Sequence, residues 1–196
     1  MPFSATLLNF ISQRGLCANQ LWVVMRKTCL RWVISLGMSE IADLEIGQIA
    51  PRFSSSDNAG ITYDLAELNG QGKTVILYFY PKDSTPGCTK QACDFRDQMA
   101  SLSSADVVVL GVSKDSGKSH ENFTVKYDLN FPLLLDEELE LHNSYGTWRE
   151  KKNYGRTYMG CARSTFIINP DGVLAQAMYN VKATGHVARI MKLLDL

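Results

Sequence analysis

From Ile49 onward the apolar positions fall into short blocks separated by Gly, Pro, Asn and Asp, and their period changes from block to block. Ile49 to Phe53 and Ile61 to Tyr63 flank a cluster of Ser, Asp, Asn and Gly, which predicts a short hairpin. Asp64 to Leu68 offers one helical turn ahead of the loop holding Gly70 and Gly72. Thr74 to Tyr80 (TVILYFY) is continuously apolar and rich in β-branched and aromatic residues, the pattern of a strand covered on both faces. A helix is predicted from Pro86 to Leu102, a second buried strand from Val107 to Val112, and another helix from Lys118 to Tyr127. Phe131 to Leu135 reads as a strand and Glu138 to Tyr145 as a helix. Thr165 to Ile168 and Val173 to Tyr179 read as strands around an Asn-Pro-Asp-Gly turn, before a last helix ending at Leu194. Strands alternating with helices and closing in a hairpin predict an α/β sandwich, a mixed sheet with helices on both faces. No repeat, low-complexity tract or internal linker interrupts this order, so the body is one domain.

Composition changes this picture only at the head of the chain. With 196 residues, 45% of them hydrophobic and 20% charged, the sequence is that of an ordinary globular protein, which excludes disorder, collagen-like repeats and coiled coil. Twenty basic residues balance twenty acidic ones, so no overall charge excess draws the protein to nucleic acid or to an anionic membrane. The balance is uneven, however. Up to Ser39 the only charges are Arg14, Arg26, Lys27 and Arg31, whereas from Glu40 onward sixteen basic residues face twenty acidic ones. The favoured reading of residues 1–37 is an upstream extension, with Met38 opening the working chain in the cytoplasm. The alternative is an organellar transit peptide, whose acid-poor composition of Arg, Ser and bulky apolar residues this head shares; it would send the chain to a mitochondrion or plastid. Arg26, Lys27 and Arg31 break the apolar run from Leu16 to Leu36, well short of the roughly 18 to 20 uncharged residues of a spanning helix, so no membrane association is expected. The folded domain is accordingly placed at 38–196.

The chemistry concentrates between Tyr80 and Met99. Five cysteines (Cys17, Cys29, Cys88, Cys93 and Cys161) are an odd number, and two of them lie in the head, which argues against a disulfide scaffold. Thr85 as N-cap and Pro86 at the first helical position place Cys88 in the first turn of a helix that follows a buried strand. Unpaired backbone N–H groups and the positive end of the helix dipole favour a thiolate there over a thiol. On the helical wheel Cys88, Ala92, Phe95, Met99 and Leu102 form one apolar stripe, so Cys88 starts on the buried side. Cys93 is five residues on, about 140° around the axis and about 7.5 Å along it. The two Cα atoms of an intact helix are then roughly 8 to 9 Å apart, whereas a disulfide wants less than about 7 Å. This pair can bond only if the first turns unwind.

Pro81, Thr85 and Cys88, in the pattern PxxxTxxC, resemble the active-site motif of the peroxiredoxins, and Cys93 resembles the resolving cysteine of their Q type, also called bacterioferritin comigratory protein. The likeness runs from about Ile41 to the C-terminus and includes YGRTYMG and ARSTFIINPDG. It implies a thioredoxin-like fold and a thiol-dependent peroxidase acting on hydrogen peroxide and organic hydroperoxides, with a part in antioxidant defence. By the same resemblance Cys88 is the peroxidatic thiolate, which attacks peroxide and becomes a sulfenic acid. Thr85 aligns thiolate and peroxide, Arg163 stabilises the thiolate and the leaving oxygen, and Pro81 shields the sulfur from water. Cys93 condenses with the sulfenic acid, and thioredoxin reduces the resulting disulfide. No metal or organic cofactor is implied, and a resolving cysteine in the same helix makes a monomer the expected state.

Competing readings use the same cysteines. A thiol-disulfide oxidoreductase of the thioredoxin type would carry two residues between its cysteines and a proline before the late strand; this chain has four, and Arg163-Ser164-Thr165 stands at that strand. A redox sensor or chaperone exploiting the unwinding is the other alternative. Cys161 reads as a small apolar filler, and His120, His142 and His186 have no metal-ligand spacing. Gly72-Lys73-Thr74 is not the end of a phosphate loop, because the position of the required first glycine holds Glu67 and a strand follows. Asn122-Phe123-Thr124 is a glycosylation sequon only for a secreted chain.

Overall fold

The computed structural model describes residues 43–153 and 155–196. The expected extension 1–37, with Cys17, Cys29 and the proposed start at Met38, lies outside them. The central sheet follows from one sequence property: the unbroken apolar run expected at Thr74 forms β3 (Thr74–Phe79), which needs cover on both faces and neighbours on both edges. Parallel to it on one side lies β4 (Val107–Ser113) and beyond that β5 (Leu133–Leu135). On the other side β8 (Ser164–Ile168) pairs antiparallel with β3, and β9 (Leu174–Met178) with β8, giving the order β5-β4-β3-β8-β9. Two separate hairpins accompany the sheet, β1 (Ser54–Ser56) with β2 (Thr62–Asp64) and β6 (Trp148–Asn153) with β7 (Arg156–Cys161).

Alternation along β3 sorts the core into two halves. Ile76, Tyr78 and Tyr80 pack with Cys88, Ala92, Phe95 and Leu102 of α2 (Pro86–Ser104), Phe123 of α3 (Gly117–Tyr127) and Ile190 of α5 (His186–Leu193). Val75, Leu77 and Phe79 face the opposite side, with Leu65 of α1 (Leu65–Gly70), Leu141 of α4 (Glu140–Ser144), Tyr145 and Cys161. A mixed sheet between helical layers is the thioredoxin-like architecture expected. Close packing has one strict requirement at Gly111, which pairs with Tyr78 across β3 and β4: a Cβ there would stand 2.7 Å from Leu133 Cδ2 and 2.9 Å from the Tyr78 hydroxyl. Only glycine leaves room for that ring. Among the described residues no helix is long and apolar enough to cross a membrane.

The departures from the predicted elements have local causes. The N-terminal hairpin forms, but from Ser54–Ser56 instead of Ile49–Phe53. Pro51 lacks the N–H a ladder needs, and Ile49 makes only an isolated bridge to Val173, while the Asp57 carboxylate accepts from the Ala59 and Ile61 N–H groups and fixes the turn next to the serines. Helix α4 starts at Glu140, later than expected. Leu139 takes a left-handed conformation (φ 62°), and Asp136 reaches forward to accept from the Leu141 and His142 N–H groups. The β6–β7 hairpin is absent from the predicted elements: its outer residues are polar or exposed, without the two-residue apolar alternation that marks a half-buried strand.

Candidate active site

Strand β3 ends at Phe79, and the chain turns through Pro81 to Thr85 into α2. The loop is held from below by Asp83, which is buried. Its carboxylate accepts from the Tyr80 hydroxyl (2.8 Å) and the Ser119 hydroxyl (2.7 Å) and lies 2.8 Å from His120 Nδ1. The Asp83 N–H donates to Asp115 at 2.7 Å. Burial works against ionisation of Asp83, but hydrogen bonding and charge from His120, with the Ser119 and Tyr80 hydroxyls, outweigh it and hold the carboxyl below its usual range. Sequence pattern gives no hint of this pairing, since Asp83 and His120 stand on different elements.

Thr85 occupies the N-cap position with extended backbone (φ −82°, ψ 149°) and Pro86 opens the helix, as expected. Its hydroxyl does not cap the helix, however. It donates to the Lys82 carbonyl at 3.1 Å, which commits the proton and leaves the oxygen lone pairs available. Cys88 follows in the first turn and is 2% exposed. Pro81 and Thr85 are half-buried.

Arg163 reaches this sulfur from the far end of the sequence. Phe79 pairs with Ser164, so the end of β3 and the start of β8 lie side by side, and the residue before β8 is delivered to the helix start. The Arg163 carbonyl accepts from the Val181 N–H at 2.9 Å, and its Nη2 donates to Cys88 Sγ at 3.1 Å. The other arm, Nη1, donates to Gln91 Oε1. A guanidinium beside a sulfur at a helix N-terminus stabilises a thiolate, the nucleophilic form.

Cys93 is half-buried on the same wound helix, and Cys88, Cys93 and Cys161 are all free thiols. Five residues of helix keep the Cα atoms of Cys88 and Cys93 roughly 8 to 9 Å apart, so the reduced form holds them out of bonding range. Cys161 belongs to the core half on the opposite face of the sheet, and burial pushes its thiol up to about 12. Arg163 is thus brought to Cys88 and Thr85 stands at the start of the same helix, while Cys93 lies further along that helix and Cys161 on the other face of the sheet. A further member, Gln91, is fully buried on the stripe with Cys88 and Ala92 and is missing from the sequence reading. Its signal is a polar side chain three residues after Cys88, on the apolar face of the helix.

The family model described as the AhpC/TSA family matches residues 46–177. Peroxiredoxin Bcp of Bacillus subtilis is 45% identical over 151 residues, covering 77% of this chain and 95% of the relative. Peroxiredoxin Bcp of Escherichia coli strain K12 is 43% identical over 143 residues, covering 73% and 90%. Among solved structures, the bacterioferritin comigratory protein of Xanthomonas campestris, whose structures concern alkyl peroxide reduction, is 37% identical with a TM-score of 0.68, covering 73% of this chain and 90% of that one. A cysteine-to-serine mutant of the Q-type peroxiredoxin of Xylella fastidiosa is 30% identical with a TM-score of 0.73, covering 79% and 97%. The chain belongs to the AhpC/TSA family as a peroxiredoxin of the Bcp or Q type, a thiol-dependent peroxidase.

Proposed function

We propose that this chain reduces hydrogen peroxide and organic hydroperoxides through a Cys88 sulfenic acid and a Cys88–Cys93 disulfide, with thioredoxin as reductant, and that it works as a monomer. The carrying observation is the Arg163 contact to Cys88 at the start of a helix that also bears Cys93. The Cys88 thiolate attacks one peroxide oxygen; an S–O bond forms, the O–O bond breaks, and the departing oxygen takes up a proton to leave as water or alcohol. Arg163 stabilises the charge on both sulfur and leaving oxygen. Thr85, its proton committed to Lys82, accepts from the peroxide O–H and so orients it. Pro81 covers the sulfur from the loop side.

The first turns of α2 then unwind and bring Cys93 to the sulfenic acid. An S–S bond forms and water leaves. Thioredoxin's dithiol reduces that disulfide by exchange, restoring both thiols and the helix. Resolution within one helix supplies every sulfur from a single chain, which supports the monomer. The test couples the purified protein to thioredoxin, its reductase and NADPH. NADPH consumption that depends on added peroxide, and that vanishes in Cys88→Ser, is expected; consumption that persists in Cys88→Ser, or none at all in the parent, overturns the reading.

A further inference from the structure

In the loop from Pro81 to Thr85, Lys82 and Ser84 are exposed and Asp83 alone is buried. A buried carboxylate is costly unless its lone pairs are used, and this one accepts from the Tyr80 and Ser119 hydroxyls and faces His120. Those partners come from the end of β3 and the start of α3, so Asp83 moors the loop to two elements. Ser84, beside it, takes a left-handed conformation (φ 58°) that a serine rarely adopts, so the backbone is held there against its preference.

The peptide unit joining Lys82 to Asp83 carries the consequence into the site. Its N–H donates to the Asp115 carboxylate at 2.7 Å, and its carbonyl accepts from the Thr85 hydroxyl at 3.1 Å. Asp115 is held in turn from the end of β4, where the Ser113 hydroxyl donates to the same carboxylate oxygen at 3.1 Å. A peptide unit is planar and rigid, so one pinned at its N–H and at the Asp83 side chain has a fixed carbonyl direction. That direction decides where the Thr85 proton points and which way the oxygen lone pairs face.

We infer that Asp83 and Asp115 are positioning residues for the peroxide step, clamping one peptide plane so that the Thr85 oxygen is presented to peroxide as an acceptor. Both act through Thr85 and not through the charge of the sulfur, which Arg163 and the helix start favour. This role deepens the proposed function and rests on the reaction of Cys88 with peroxide.

The test measures, on the full chain, the stopped-flow rate of Cys88 oxidation by hydrogen peroxide, the pH midpoint of Cys88 alkylation by iodoacetamide, and thermal unfolding. Removing a carboxylate can only favour the thiolate, so charge alone would leave Asp83→Asn and Asp115→Ala as fast as the parent or faster. Mispositioning of Thr85 should instead slow peroxide oxidation by roughly 10- to 100-fold in Asp83→Asn and severalfold in Asp115→Ala, with the alkylation midpoint no higher than in the parent. Asp115 is only half-buried, so Asp115→Ala carries the test if Asp83→Asn does not fold. In a Thr85→Val background, which lacks the hydroxyl, neither substitution should slow the reaction further. Parental peroxide rates in both variants, a raised alkylation midpoint, or a further slowing once the Thr85 hydroxyl is gone would overturn this role alone. A parent that does not react with peroxide would overturn the proposed function and this role together.

Discussion

Arg163 Nη2 donates to Cys88 Sγ at 3.1 Å across 75 residues of sequence. Replacing Arg163 by Gln removes the charge but keeps a polar side chain. A hydrogen bond to a charged group is worth about 1.5 to 3 kcal/mol, so peroxide oxidation of Cys88 should slow by roughly 10- to 100-fold at neutral pH. Stopped-flow measurement of the bimolecular rate checks this, and a rate within about twofold of the parent would remove Arg163 from the chemistry.

The wound helix keeps Cys93 out of reach of Cys88, so a disulfide between the two requires a change of backbone. Cys93→Ser should accumulate the sulfenic acid, visible as a dimedone adduct by mass spectrometry, and should lose thioredoxin-linked turnover. In the parent protein far-ultraviolet circular dichroism should show less helix in the disulfide form than in the reduced form. Identical spectra would mean that the sulfurs join by another route.

Cys161 is shut into the core behind the sheet with its thiol pushed up to about 12, which leaves it a thiol at pH 8. Peptide mapping after brief iodoacetamide treatment of the native protein at pH 8 should find Cys88 and Cys93 modified and Cys161 intact. Cys161→Ala should keep peroxidase activity within about twofold and cost on the order of 1 kcal/mol of stability from the lost packing. Loss of turnover in that variant would give Cys161 a redox role after all.

His186 is buried, with Nε2 2.8 Å from the Thr165 hydroxyl, and burial, reinforced by Arg189 and Arg163, pushes it down to about 4. The unfolded chain takes up this proton near pH 6.5, so between pH 6.5 and about 4 the unfolded state binds more protons and stability falls as the pH drops. Asp83 and Asp136 act in a lower window: their carboxyls are held below the usual range, so their contribution is lost only under more acid conditions. Melting temperatures across pH 7 to 4.5 should therefore decline in the parent and decline less steeply in His186→Gln. Parallel curves would exclude His186 as the cause.

What the sequence makes legible divides by range. Cys88 can be placed because its signals are local: a buried strand, then Thr85 and Pro86, then the thiol within one turn. Arg163 carries no local mark, and only the family resemblance points to it; its position depends on β8 pairing antiparallel with β3. Gln91 escapes notice because the apolar stripe runs on through Ala92, although the amide shares that face. The buried pairs of His120 with Asp83 and His142 with Asp136 join residues from different elements or across a turn, where periodicity says nothing about partners. The β6–β7 hairpin has too little apolar alternation to announce itself.

The adjacency of Phe79 and Ser164 also orders events in time. During synthesis Cys88 emerges 75 residues ahead of the arginine that completes its surroundings. Until β8 zips onto β3, the half-made chain carries a cysteine with no guanidinium beside it. The surroundings of Cys88 are thus completed by the last strands of the sheet, and an unfinished or truncated chain holds the cysteine without its arginine.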